Sequence, residues 1–364
     1  MSNHQAGRTG RTMKIVMCGN FWRSGNAVTD ECYVRDALRG LGHEVYDYNL
    51  PLSDLSYEKK IYTENRPPEV DFAIVFKRIT AEEIRSLRQF TKGPIFYWLF
   101  DLFWVDEFPN EEKRKSAWLV NHFLAAIEAD GYLSKEIKWS QGYRDLGVRF
   151  FYLSQDTASG TVFNRVLEPK PLTTLVKDFP GDRCDVAFTG TYYDNFGWDV
   201  VDRPTILKAV QERIEPIPLC IFGYNPGSWQ GFGFQHIYPG VYDENYPHLI
   251  ASTKINLDLS IHRSSDFGCW SNRISKILLG AGFALVKYTG LMETVFGPDG
   301  ENLVYWNTPN DCADKIRYYL SKEQERLEIA ERGYLFAKKY LTTEYRVRQL
   351  LAILKYEYGV GKDG

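Results

Sequence analysis

Short apolar runs alternate with stretches of helical spacing along most of the chain. Ile15-Val16-Met17-Cys18 ends in Gly19-Asn20, and a polar loop leads to Thr29-Asp30-Glu31, which opens a segment with Val34, Leu38 and Leu41 at helical intervals before Gly42. That pattern predicts a strand, a loop and a helix stopped by glycine. Further strands are expected at Val45 to Tyr48, Phe72 to Phe76 and Ile95 to Leu99, and Thr80-x-x-Glu83 is a capping box for a helix between the last two. Tyr132-Leu133 and Val148 to Leu153 extend the series. Strands alternating with helices imply a parallel sheet with crossover helices on its faces.

A second series starts at Val186-Ala187-Phe188, which ends in Thr189-Gly190-Thr191. It continues with a helix from about Pro204 to Ile214, strands at Leu219 to Phe222 and Ile255 to Leu259, a helix from about Asn272 to Leu279, and strands at Phe283 to Val286 and Leu303 to Tyr305. Pro169, Pro171, Pro180 and Gly181 mark residues 168–182 as the expected interdomain linker. Ser321-x-x-Gln324 is expected to cap a helix with Leu327, Ala330, Tyr334 and Ala337 on its buried face. Val347, Leu350, Leu351 and Leu354 stripe a final helix over 343–358. The expected architecture is α/β, with two Rossmann-like domains over 13–167 and 183–342, a cleft between them, and residues 1–12 as a disordered leader. In open parallel sheets the ligand lies beyond the carboxyl ends of the strands, so the loops after each strand are where chemistry is sought.

The chain has 364 residues, which at roughly 150 per domain is consistent with two domains. With 44% hydrophobic and 25% charged residues it has the balance of a globule, which excludes wholesale disorder, collagen-like repeats and coiled coil. Lys+Arg 44 against Asp+Glu 47 leaves a net charge of −3, so a polyanionic partner must be met by a local patch. The six cysteines are scattered singly, with no zinc-ligand spacing, and point to a reducing, cytoplasmic compartment. The densest apolar run, Ile95 to Phe100, is stopped by Asp101 well short of the roughly 20 residues of a membrane helix, so no membrane span is expected.

Absent motifs narrow the chemistry. No GxGxxG follows the first strand, no GxxxxGK[ST] occurs, and the histidines form no HExxH pattern, which argues against nicotinamide enzymes, P-loop NTPases and zinc hydrolases. Ser260 to Gly268, containing Arg263, leads into Ser271-Asn272-Arg273 at a helix start. Helix amides beside a guanidinium are a natural diphosphate seat, although a surface loop with a structural arginine gives the same pattern. Gly190 with Thr191 is either a ligand-facing turn or an ordinary one. Gly290 and Glu293 lie after another strand, where Glu293 is either functional or a helix N-terminal acid favoured by the dipole. The glycine-rich and aromatic loop Gly223 to Phe234 suits stacking on sugar rings or bases, or forms a packed turn.

At this point the residues carry a resemblance. Ala187-Phe188-Thr189-Gly190-Thr191, Ile221-Phe222-Gly223, Gly240-Val241-Tyr242, Lys254-Ile255-Asn256-Leu257, and Arg273 through Gly282-Phe283-Ala284-Leu285 to Gly290-Leu291-Met292-Glu293 and Gly300-Glu301-Asn302-Leu303-Val304-Tyr305 resemble the CgeB-like (spore maturation protein) group of GT-B glycosyltransferases. The likeness spans most of 183–350. The first half agrees more loosely, through Gly42-His43-Glu44-Val45, Tyr97-Trp98 to Asp101 and Asp130-Gly131-Tyr132.

The resemblance implies a GT-B fold whose C-terminal helix crosses back to the N-terminal domain. It implies a nucleotide-sugar donor, a UDP-sugar favoured, in the second domain, and an acceptor (glycan, protein or modified DNA base) in the first. No bound metal and no cofactor beyond the nucleotide-sugar co-substrate is implied. The base is expected beside Gly240-Val241 and Tyr242 and the diphosphate near Arg273, with Gly190, Thr191, Gly223, Arg263, Lys276, Gly290 and Glu293 completing the donor set. One departure stands out: Ser275-Lys276 occupies the place of the family's usual phenylalanine-glutamate pair, so the carboxylate for the ribose hydroxyls is missing. Lys276 either adds charge at the phosphates or marks a degenerate site. Glycosyl transfer passes through an oxocarbenium-like state, and the leaving diphosphate gathers charge that Arg263, Arg273 and Lys276 are placed to meet. Asp101 is the expected base at the acceptor hydroxyl, or else a buried aspartate capping a loop. A GT-B-like nucleotide-sugar epimerase and a non-catalytic sugar-nucleotide or glycan binder are the alternatives.

Overall fold

The computed structural model describes residues 11–19, 23–24, 27–49, 68–76, 80–99, 117–135, 140–154, 157–192, 202–223, 226–259 and 270–361. Arg263 and Asp101 lie outside the described residues. Of the described residues, those up to 154 and those from Thr343 onward group into one unit, and 157–342 into another.

In the first unit the opening apolar run is β1 (Lys14–Gly19), followed by a small antiparallel pair, β2 (Arg23–Ser24) and β3 (Ala27–Val28), and the helix Asp30–Gly40. Gly42 has φ 91, the left-handed turn that ends this helix. The remaining strands are β4 (Glu44–Asn49), β5 (Phe72–Phe76), β6 (Ile95–Trp98), β7 (Gly131–Ser134) and β8 (Phe150–Tyr152). They form a parallel sheet in the order β4-β1-β5-β6-β7-β8, with Ile15 opposite Val45 on one side and Phe72 on the other. Every residue of β5, β6 and β7 is buried, as expected of parallel strands covered on both faces.

One face packs on the helix Ala81–Leu87, entered through the Thr80–Glu83 capping box, and on Ala125 and Ala126 of the helix Ala117–Glu128. His122 of the latter is buried, its Nδ1 2.9 Å from the Tyr97 hydroxyl and its Nε2 3.3 Å from that of Tyr143. The other face packs on Cys32, Val34 and Leu38 of the first helix and on Val347, Leu350 and Leu354 of the last helix, Thr343–Tyr358. The chain thus returns at its end to complete the first unit, as the GT-B expectation requires. Tyr358 donates its hydroxyl to the Asp130 carbonyl at 2.5 Å, and its ring meets Phe96 edge-on at 5.2 Å.

The second unit repeats the design with β9 (Cys184–Thr189), β10 (Leu219–Gly223), β11 (Ile237–Pro239), β12 (Thr253–Asp258), β13 (Ala284–Lys287) and β14 (Val304–Trp306). Their parallel order is β11-β10-β9-β12-β13-β14. Strand order reverses between β9 and β12, the topological switch point of a Rossmann-like sheet.

Three expectations change. The proline-rich stretch 168–182 lies inside the second unit, where Leu172 is buried and the Phe179 ring stacks on Phe222 at 6.0 Å and meets Tyr238 at 4.7 Å. It includes a short helix, Leu172–Leu175, entered after Pro171, and Phe179 anchors its end. Ser321 ends the helix Pro309–Ser321, its hydroxyl donating to the Tyr318 carbonyl at 2.7 Å; the next helix, Glu323–Tyr340, begins after Lys322 without a side-chain cap. Leu327 of that helix is 53% exposed, because the buried face runs through Arg326, Ile329, Ala330, Gly333, Tyr334 and Ala337.

Candidate functional site

The carboxyl edge of the second sheet gathers most of the residues that the sequence singles out. Gly190 and Thr191 follow β9, Gly223 ends β10, Gly240, Val241 and Tyr242 follow β11, and Asp258 ends β12. The turn after β9 is held from several sides. The Gly190 amide donates to the Phe222 carbonyl at 2.9 Å, the Trp229 indole Nε1 donates to the Gly190 carbonyl at 3.2 Å, and Arg203 Nη2 donates to the Thr191 carbonyl at 2.5 Å. Gly240 donates its amide to the Gly223 carbonyl at 2.7 Å, tying the third loop to the second. The Tyr242 side chain folds back over Gly240 so closely that a Cβ there would collide with it. Val241 is buried.

Trp229 settles the role of the aromatic loop. The indole is fully buried, edge-on to Phe188 and Phe234, each at 5.8 Å. Its ring fills the core and presses on Gly223, where a Cβ would stand 3.0 Å from the indole. The described part of this loop is a packed turn, and Trp229 and Phe234 offer no face for stacking on a sugar.

Arg273 enters from the helix Asn272–Leu279, whose Ser271 cap accepts from the Arg273 amide at 3.2 Å. Its guanidinium lies over the Phe188 ring, 4.9 Å from the centroid, and Nη1 donates to Asp258 Oδ1 at 2.7 Å. Nη2 lies on the Gly190 side, 3.1 Å from where a Cβ on that glycine would be. Asp258 is fully buried; burial pushes its carboxyl up, opposed by the charges of Arg273 and Arg203 and by the Arg273 hydrogen bond. Tyr246, also buried, is raised by burial, opposed by the Arg273 charge and a hydrogen bond with Thr189. Gly190, Thr191, Gly223, Gly240, Tyr242 and Arg273 therefore belong to one chain of contacts.

The other described candidates stand apart from it. The Lys276 ammonium lies over the Phe163 ring at 4.9 Å, engaged with the segment that follows the first unit. Gly290 and Glu293 sit on the loop after β13, and Glu293 is exposed in the first turn of the helix Met292–Phe296. Among the described residues no cluster of His, Cys, Asp or Glu is placed to hold a metal ion, and no helix is long and apolar enough to cross a membrane.

Two charged members of the site, Asp258 and Arg203, are not among the sequence candidates. Each left a signal. Asp258 is an acid closing an apolar strand, and Arg203 is a cation at a helix N-terminus, where the dipole disfavours it unless a partner is near.

Comparisons with known proteins bear on the family and the fold. A family described as glycosyl transferase-like matches residues 203–352, from the helix that carries Arg203 into the last helix. HepE from Anabaena, solved in complex with UDP and glucose, superposes with a TM-score of 0.62 at 12% identity, covering 94% of this chain and 100% of that one. A glycosyltransferase from Rickettsia africae gives 0.66 at 12% identity, with 97% and 100% covered. Sucrose-phosphate synthase from Thermosynechococcus elongatus gives 0.64 at 12% identity, with 95% and 98% covered. No curated protein matches the sequence. Two Rossmann-like units of parallel strands, shared with these structures, define the GT-B fold. The matched family is glycosyl transferase-like over residues 203–352, and the likeness to these solved structures is one of fold.

Proposed function

We propose that this chain is a UDP-sugar-dependent glycosyltransferase of the CgeB-like kind, with its donor seated at the carboxyl edge of the second sheet. The observation that carries the reading is the cation-lined turn at the switch point, Gly190-Thr191 flanked by Arg273, inside the half that the glycosyl transferase-like family matches or adjoins. HepE, of the same fold, is solved with UDP and glucose, which supports a uridine nucleotide here. The diphosphate lies against Gly190, Thr191 and the free edge of Arg273, and the base beside Val241 and Tyr242. Gly223 keeps the neighbouring loop close, and Gly290, Glu293, Lys276 and Arg263 are kept as the remaining members of the proposed donor set.

In the reaction the acceptor hydroxyl oxygen forms a bond to the anomeric carbon as the bond from that carbon to the diphosphate breaks. Negative charge gathers on the departing UDP, where Arg273 and the amides of the Asn272–Leu279 helix stabilise it, and no metal ion is assigned a part. The hydroxyl proton passes to a carboxylate, the role proposed for Asp101. The acceptor class is a glycan, a protein or a modified DNA base, and the proposed place of action is the cytoplasm.

Titration calorimetry with UDP and GDP, followed by product analysis with UDP-glucose, tests this. Binding of UDP together with transfer to an acceptor supports it. An altered sugar formed from donor alone points to an epimerase, and tight binding without turnover to a binding protein. If neither diphosphate binds at millimolar concentration, the donor-site reading fails.

A further inference from the structure

Asp258, among the described residues of this edge, is a charged group for which the donor reading provides no task. It is fully buried at the end of β12, and only one of its oxygens is paired: Oδ1 accepts from Arg273 Nη1 at 2.7 Å, whereas Oδ2 is buried with no hydrogen-bond partner among the described residues. A buried ion pair with an unsatisfied oxygen is a poor stabilising device, since apolar residues of similar volume usually do as well or better. Its geometry is specific, however. Arg273 is pinned at three places: by Asp258 on one edge, by the Phe188 ring beneath, 4.9 Å from the guanidinium carbon, and by its own short stretch of helix. The remaining edge is thereby turned to Gly190, and Arg203, itself buried, holds the next residue of the same turn through the Thr191 carbonyl.

We propose that Asp258 is a positioning residue: it holds the Arg273 guanidinium edge-on, so that the nitrogen it leaves unbound faces the diphosphate at the Gly190-Thr191 turn. The inference rests on the donor-site reading above. An arginine fork can serve a carboxylate on one edge and a phosphate on another, which a lysine ammonium on a flexible stem does less well. Without Asp258 the guanidinium keeps its charge but loses its fixed direction.

The sign of one measurement separates this from the simplest alternative. If Asp258 were only a counter-ion, neutralising it would release positive charge and tighten the binding of an anion. If it positions Arg273, neutralising it loosens binding. The full chain and its Asp258→Asn variant are titrated with UDP and with uridine. The expected result is a Kd for UDP raised about tenfold, the loss of one charge-assisted hydrogen bond, with uridine changed less than twofold. An unchanged or lower Kd for UDP overturns the inference. Arg273→Lys is the second variant, in case D258N does not fold: it should melt near the wild type yet lose UDP affinity by a similar factor, and wild-type affinity in R273K overturns the inference too. In the double variant the losses should not add, because both substitutions break the same unit. Failure of the wild-type chain to bind either UDP or GDP instead overturns the donor-site reading on which the inference stands.

Discussion

His122 shows how far one buried side chain can tie stability to pH. It is enclosed by the Tyr97, Tyr132 and Tyr143 rings, and burial lowers its pKa to about 3. The folded chain therefore keeps this imidazole neutral where an unfolded chain, titrating near 6.5, already binds a proton. The stabilisation is complete above about pH 6.5 and is lost as pH falls from there towards 3, at a limiting slope of about 1.4 kcal/mol per pH unit. His122→Gln should melt lower than wild type at pH 7 but lose less on acidification to pH 4.5, as thermal melts at the two pH values will show. Gly190 is a second sensitive residue. A Cβ there would stand 2.9 Å from the Phe188 ring and 3.1 Å from Arg273 Nη2, so Gly190→Ala must displace one of them. Overpacking of this kind costs about 1–3 kcal/mol, and calorimetry should find UDP bound more weakly. Gly190 and Arg273 were visible in the sequence as a glycine at a strand end and a cation at a helix start. Their partners Arg203 and Asp258 left only weak local signals, because what marks each as part of the site is a contact across more than ten positions of chain, which local spacing does not encode.

At the scale of single elements, local rules held where both partners are close in sequence. Thr80 Oγ1 accepts from the Glu83 amide at 3.2 Å while the Glu83 carboxylate accepts from the Thr80 amide at 2.8 Å, so the box readable in the sequence forms in full. Thr80→Ala should destabilise the first unit by about 1 kcal/mol, read as a shift in the urea midpoint. The same kind of pattern misled at Ser321, since the preceding helix had not yet ended and Ser321 still belongs to it. Leu327 departs from an otherwise correct face: Ala330, Tyr334 and Ala337 are buried, but one turn earlier Arg326 takes the buried place, donating to the Lys254 carbonyl at 2.9 Å. Residues 168–182 were legible as irregular but not as part of the second unit, because the burial of Phe179 against Phe222 depends on the assembled sheet.

For the molecule as a whole, the alternation of strands and helices was enough to give two Rossmann-like units, and the resemblance gave the return of the last helix. Leu350 in that helix is fully buried in the core of the first unit, with Ile15, Met17 and Leu38. Leu350→Ala should cost about 2–5 kcal/mol. Hydrogen exchange should show the loss in β1 and the helix Asp30–Gly40, with β9 and β12 left as protected as before.

The return of the helix also sets an order in time. As the chain leaves the ribosome, the residues of the first sheet emerge well before Val347, Leu350 and Leu354, which complete their core. Every strand of the second sheet, through β14, has been synthesised before Thr343 appears. The half that is begun second is thus the first able to close its core, and the half begun first waits with one apolar face only partly covered until the helix Thr343–Tyr358 has been made.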